Sequence, residues 1–180
     1  MTQEVIRADY IKKLMTYRDT DLIKVITGMR RVGKSILMRQ FRAALEHTGV
    51  PKDRIIYIDM DSVMNDLYRN GRTLYSEIAS GSGSGKRYVL IDEVQNIDDW
   101  VRIVESLRND INCDIYITGS NAYMLSSDIA TILTGRSVTM TVLPLSFNES
   151  MTLHGEKDPK AAFLRYLRHG GLPVLKPGYS

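Results

Sequence analysis

With one cysteine, Cys113, the chain cannot close an internal disulfide, and its fold has to be held by packing. Histidine is nearly as scarce. His47, His154 and His169 have no ligand-like spacing with one another or with Cys113, so no zinc site is expected. No apolar run is long enough to span a bilayer. The polar, charged stretch from Met1 to Tyr17 matches neither a secretory signal nor a membrane anchor, which makes a cytoplasmic protein without membrane contact the expectation. A strong excess of one charge is also missing. The formal charge of +3 is too mild to argue for nucleic acid, and a charged, solvated surface explains it equally well.

What remains is ordinary globular composition in 180 residues, enough to bury a sizeable core as one domain. The most informative stretch runs from Val25 to Ser35: a hydrophobic strand leading into G-x-x-x-x-G-K-S. Gly28 and Gly33 let the backbone curl with its N–H groups inward, and the helix that begins near Gly33 adds its positive end, a cradle that fits a triphosphate. Lys34 reaches the β- and γ-phosphates in such a loop, and the Ser35 hydroxyl holds Mg²⁺. The candidate nucleotide-binding residues are therefore Gly28, Met29, Arg30, Arg31, Val32, Gly33, Lys34, Ser35 and Ile36. Leu22 to Thr27 reads as the buried strand before the loop. Leu37, Phe41, Ala44 and Leu45 recur at helical spacing behind it, with Gly49 and Pro51 to stop the helix.

Ahead of this unit, Ile6, Tyr10, Ile11, Leu14 and Tyr17 predict a helix over 7–18 packed on the sheet edge. Arg7, Lys12, Lys13 and Arg18 lie on its other, solvated side. Arg54 to Met60 predicts a second strand, and Asn65 to Ser80 has weak helical character. The run SGSGSG from Ser80 to Gly85 has the composition of a flexible linker, either natural or an engineered replacement of a longer loop. It precedes a strand. It therefore belongs at the amino end of the sheet, away from ligands, which bind outside the carboxyl ends of strands.

That strand, Arg87 to Glu93, ends in two carboxylates. Asp92 is placed to hold Mg²⁺ with Ser35, and Glu93 to polarise a water aimed at the γ-phosphate. A capping pair for the next helix is the alternative reading. Asp98 or Asp99 is expected to cap a helix that carries Trp100, Ile103, Val104 and Leu107 on one face, with Trp100 in the core. The strand Asp114 to Thr118 leads to Asn121, which either touches the γ-phosphate or the attacking water, or caps the helix Ala122 to Leu133. Arg136 stands before a fifth strand, Val138 to Leu143. It is either a finger that neutralises charge on the γ-phosphate, in cis or from a neighbouring subunit, or an ordinary surface arginine. Two short helices, Phe147 to Leu153 and Pro159 to His169, follow, the second opened by Asp158-Pro159 and stopped by Gly170-Gly171.

Five strands alternating with helices make a doubly wound α/β domain. GMRRVGKS, LIDEVQN and above all TGSNAYMLSSDIATILTGRSVTMTVLPLSF resemble the prokaryotic AAA-type ATPases of the group called AAA family 14, usually joined to a C-terminal domain of unknown function, DUF4143. The resemblance runs from about Tyr10 to Pro173 and implies a P-loop NTPase with a parallel five-stranded sheet in the order 5-1-4-3-2. By similarity, Gly28 to Ser35 form the Walker A loop and Asp92 and Glu93 the Walker B pair, with Asn121 the polar sensor and Arg136 the arginine finger or sensor arginine. Residues 1–150 would then be the ATPase domain and 151–180 a helical extension opening a C-terminal region.

The leading expectation is an Mg²⁺-dependent ATP hydrolase with ATP and ADP as ligands. Catalytic roles fall to Lys34, Glu93, Asn121 and Arg136, and metal binding to Ser35 and Asp92. The alternative is an ATP-dependent switch or interaction module with little turnover. In either case a homo-oligomer with the arginine in trans is one possible active form. A kinase is weaker because the Asp92-Glu93 pair suits activation of water. A GTPase is weaker still, since no N-K-x-D or T-K-x-D guanine signature and no D-x-x-G is present where one belongs. A nucleic-acid role rests only on scattered basic residues such as Arg165 and Arg168.

Overall fold

The structure, a computed structural model, describes residues 4–81, 85–120 and 133–173. The strands are β1 (Ile23–Thr27), β2 (Ile55–Asp59), β3 (Arg87–Asp92), β4 (Cys113–Thr118) and β5 (Ser137–Thr141). They form one sheet, every pairing parallel, in the order β2-β3-β4-β1-β5. This is the expected 5-1-4-3-2 order read from the other edge.

Neighbouring strand residues point to opposite faces, and the sequence fills both. Val25, Val89, Ile91, Ile115 and Ile117 face one layer, where they meet Leu74 and Ile78 of helix α3 (Gly71–Ser80) and Trp100, Val104 and Leu107 of helix α4 (Trp100–Asp110). Ile26, Leu90, Tyr116 and Met140 face the other, covered by helices α1 (Ala8–Thr16) and α2 (Lys34–His47). Leu37, Met38, Phe41 and Leu45 of α2 are fully buried, each contributing about 1.5–3 kcal/mol of burial free energy. Gly49, at φ +89°, follows the end of that helix.

Past the sheet, α5 (Phe147–His154) opens with a capping box between Ser146 and Glu149, and α6 (Pro159–His169) with Asp158 accepting from the Lys160 amide. The weakly helical stretch resolves into a 3₁₀ segment, Val63–Arg69, and then α3, which Asn70 caps through the amides of Arg72 and Thr73.

Two expectations fail for local reasons. Arg7 does not lie on a solvated face. It stands just before α1 and is buried, its guanidinium donating to the Leu143 carbonyl at 3.0 Å and pairing with Glu149 at 3.0 Å, over the Tyr10 ring. Ile6, one residue earlier, is exposed instead, because the helical repeat does not extend that far. Asp99 occupies the N-cap position of α4 but makes no side-chain cap bond. Its backbone is left-handed, at φ +51°, where a capping residue is normally extended.

Candidate nucleotide site

The carboxyl ends of the strands gather the residues that matter. β1 stops at Thr27, and the chain passes Gly28 so close to the strand-end backbone that a Cβ there would stand 2.7 Å from the Val142 carbonyl oxygen. Gly33, at φ +102°, then turns the chain into α2. Arg31 also adopts a left-handed backbone, at φ +66°. The loop from Gly28 to Gly33 thus leaves the sheet, curls and re-enters a helix within six residues, the shape a phosphate cradle requires.

Lys34 is 4% exposed. Its Nζ donates to the carbonyls of Gly28 at 3.2 Å and Met29 at 3.4 Å, and stands 3.7 Å from Glu93 Oε1. A concentrated positive charge is therefore held inside the mouth of the loop by acceptors that a phosphate can replace.

Two strands away in the sheet, Asp92 closes β3, 1% exposed and surrounded by hydroxyls. It accepts from Thr118 Oγ1 and from Ser35, and from the Tyr57 hydroxyl at 3.4 Å. Burial pushes its carboxyl above the ordinary aspartate value, against the pull of the Ser35 and Thr118 hydrogen bonds. Burial and the neighbouring Asp92 charge likewise push the Tyr57 hydroxyl up, so it stays a donor.

Glu93 follows in a left-handed conformation, φ +56°, its N–H donating to Thr118 Oγ1 at 2.9 Å. Gln95 Nε2 donates to Glu93 Oε2, while Gln95 Oε1 is buried without a partner among the described residues. Ser35, Asp92, Lys34 and Glu93, all singled out from the sequence, therefore meet at one place. Ser35 and Asp92 are hard oxygen donors already in contact, a set that fits Mg²⁺.

A cleft of about 290 Å³ adjoins the loop at Gly33, with apolar walls from Val5, Val32, Ile36, Leu145, Leu153 and Pro173. Its walls and its contact with the loop fit a nucleobase. A larger hollow of about 630 Å³ lies between α3 and α4, lined by Arg72, Tyr75, Asp98, Arg102 and Asp110, and no loop residue touches it. Cys113 is half-buried, and burial pushes its thiol up to about 11, which leaves it unreactive.

Arg136 lies elsewhere. Its carbonyl accepts from the Ile23 amide at the start of β1, and its guanidinium pairs with Glu105 of α4. Since β5 and β1 run in register from Ile23–Ser137 to Thr27–Thr141, Arg136 stands about a strand length, ~16 Å, from its own phosphate loop. Asn121 falls outside the described residues, as does most of the helix expected after it.

Sequence reasoning missed Tyr57, Gln95 and Thr118. Tyr57 and Thr118 read simply as strand residues. Gln95 lies within LIDEVQN, and its place two residues after Glu93 is the signal that points to it.

A parallel sheet with the Gly28–Ser35 loop after its first strand defines a P-loop NTPase domain. The family described as AAA domain matches residues 20–151, and the chain belongs to it. It is 38% identical over 177 residues to an uncharacterized protein of Haemophilus influenzae, covering 94% of this chain and 44% of that one. An uncharacterized protein of Methanocaldococcus jannaschii is 31% identical over 169 residues, 85% of this chain and 36% of that one. The chain thus spans less than half the length of either relative.

Among solved structures, domain III of the Thermotoga maritima replication initiation protein DnaA superposes with a TM-score of 0.61 at 13% identity, covering 90% of this chain and 77% of that one. AMPPCP-bound DnaA from Aquifex aeolicus gives 0.60 at 13%, covering 92% and 57%. At that identity they share the fold. Among the described residues no helix is long and apolar enough to cross a membrane.

Proposed function

We propose that this AAA domain binds ATP with Mg²⁺ and hydrolyses it. The observation that carries the reading is the convergence of Lys34, Ser35, Asp92 and Glu93 at the carboxyl ends of β1 and β3. Lys34 exchanges its loop carbonyls for the β- and γ-phosphates, and the loop amides hold the remaining oxygens. Ser35 and Asp92 hold Mg²⁺, whose charge offsets that of the phosphates. Released from Lys34, the Glu93 carboxylate accepts the proton of the attacking water. The base rests in the cleft beside Ile36. Asn121 senses the γ-phosphate by family resemblance. In this reading the protein is cytoplasmic, with residues 1–150 as the catalytic unit and 151–180 as an extension.

Arg136, facing away from its own loop, serves a neighbouring subunit in a homo-oligomer. The same position favours a second reading, an ATP-dependent switch with little turnover by a lone subunit. Phosphate release from ATP, followed against protein concentration for the parent, Lys34→Ala, Glu93→Gln and Arg136→Ala, tests both. Hydrolysis predicts that Lys34→Ala abolishes turnover and that Glu93→Gln binds ATP but turns it over at least ~100-fold more slowly. A rate per molecule that rises with concentration and is lost in Arg136→Ala assigns the arginine in trans. ATP binding without turnover at any concentration leaves the switch.

A further inference from the structure

The geometry points to Thr118 as the residue that sets the spacing between the phosphate loop and the Walker B carboxylates. The role rests on the nucleotide-binding reading above and goes beyond the residues assigned there. β4 lies between the two strands that carry those motifs, and Thr118 is its last residue. On one side it pairs in register with Ile26, and the next amide, Gly119 N–H, donates to the Ile26 carbonyl at 3.3 Å, two residues before Gly28. On the other, the β3–β4 ladder ends at Ile91–Ile117, and the Thr118 side chain takes over from the backbone.

Its hydroxyl donates its one proton to Asp92 Oδ1 and accepts the Glu93 N–H at 2.9 Å. Thr118 is completely buried, so water cannot replace either bond. One oxygen therefore fixes the Asp92 carboxylate, which faces Ser35, and the left-handed turn that aims Glu93 at Lys34. Serine preserves this arrangement. Valine, of the same shape, removes the bond to Asp92 Oδ1 and takes from the Glu93 N–H its acceptor, while Asp92 keeps its bonds from Ser35 and Tyr57. Thr118 is a positioning residue: it acts through Asp92 and Glu93, the groups assigned above to Mg²⁺ and to the attacking water.

The test compares Thr118→Val and Thr118→Ser with the parent on three readouts. These are hydrogen exchange at the Glu93 amide in the nucleotide-free protein, the Mg²⁺ concentration needed for tight binding of a non-hydrolysable ATP analogue, and kcat and KM for ATP. For Thr118→Val the Glu93 amide exchanges faster, the Mg²⁺ requirement rises about 10-fold or more, and kcat falls by a similar factor with little change in KM. Thr118→Ser stays close to the parent on all three. If Thr118→Val melts below the assay temperature, Thr118→Cys, with its weaker donor, is read the same way.

Unchanged Glu93 exchange and Mg²⁺ requirement in a folded Thr118→Val protein overturn the proposal. So does a Thr118→Ser protein as impaired as Thr118→Val. A parent that binds Mg²⁺-nucleotide without turning it over defeats the hydrolase reading alone, because exchange and Mg²⁺ dependence still decide Thr118. A parent that binds no nucleotide defeats both.

Discussion

Two lysine–carboxylate pairs sit at opposite ends of the same sheet, and their surroundings separate structure from function. At the amino end, Lys24 of β1 and Asp114 of β4 are both buried to 1% exposure. Lys24 Nζ donates to Asp114 Oδ1 and to the Thr20 carbonyl at 2.9 Å. Asp114 Oδ2 accepts from the Asp19 amide at 2.8 Å and the Tyr116 hydroxyl at 2.9 Å. Burial pushes the Lys24 ammonium below its ordinary value even with Asp114 pulling the other way. At the carboxyl end, Lys34 and Glu93 stand 3.7 Å apart, and among the described residues the other hydrogen bonds of Lys34 go to the loop carbonyls of Gly28 and Met29. One pair is surrounded by fixed partners. The other has partners a ligand can replace.

This difference makes thermal stability the measurement that breaks or sharpens the comparison. The largest effect is expected for Asp114→Ala, which strands a buried ammonium and costs about 3–5 kcal/mol. In a domain of this size the denaturation midpoint falls by on the order of 10 °C. A loss below ~1 kcal/mol would mean that water reaches Lys24 and that the pair is not the anchor described.

Asp92→Asn comes next, with the opposite sign. Because the Asp92 carboxyl is held above its ordinary value of 3.8, the folded state binds its proton more tightly than the unfolded chain does. That contribution is fully present below about 3.8 and is lost as pH rises through the folded value. At neutral pH the ionised group is a burden. Asp92→Asn removes it, raising the midpoint by a few degrees at pH 7, with the gain shrinking as pH is lowered toward the ordinary aspartate value. Melting curves at several pH values decide this, and a constant difference would assign the gain to some other cause. Smallest is Glu93→Gln, within about 0.5 kcal/mol of the parent by denaturant titration, since its ion pair is long and its side chain is in contact with solvent.

The same contrast explains what the sequence made legible. Strands, helices and the Gly28–Ser35 loop announce themselves through periodicity and fixed spacing, so all five strands fall within a residue or two of their expected limits. Lys34, Ser35, Asp92 and Glu93 meet because the loop and the end of β3 are both at carboxyl ends of a parallel sheet, which the order of elements already implies. Thr118 and Tyr57 carry no such mark. A hydroxyl in a strand looks the same whether it faces a carboxylate or an aliphatic layer, and only strand order decides which. Arg7 reads as solvated because a helical repeat does not reveal where the helix begins. Lys24 and Asp114 carry no such mark either, since each, alone, reads as a charged residue in a strand.

Gly28 has one more consequence. Its backbone leaves no room for a Cβ against the Val142 carbonyl, and the Val142 amide in turn donates to the Thr27 carbonyl at 2.7 Å. The loop's foot and the tail of the edge strand β5 are thereby one mechanical piece. Any displacement that opens or tightens the cradle at its root is therefore passed on to the outer edge of the sheet.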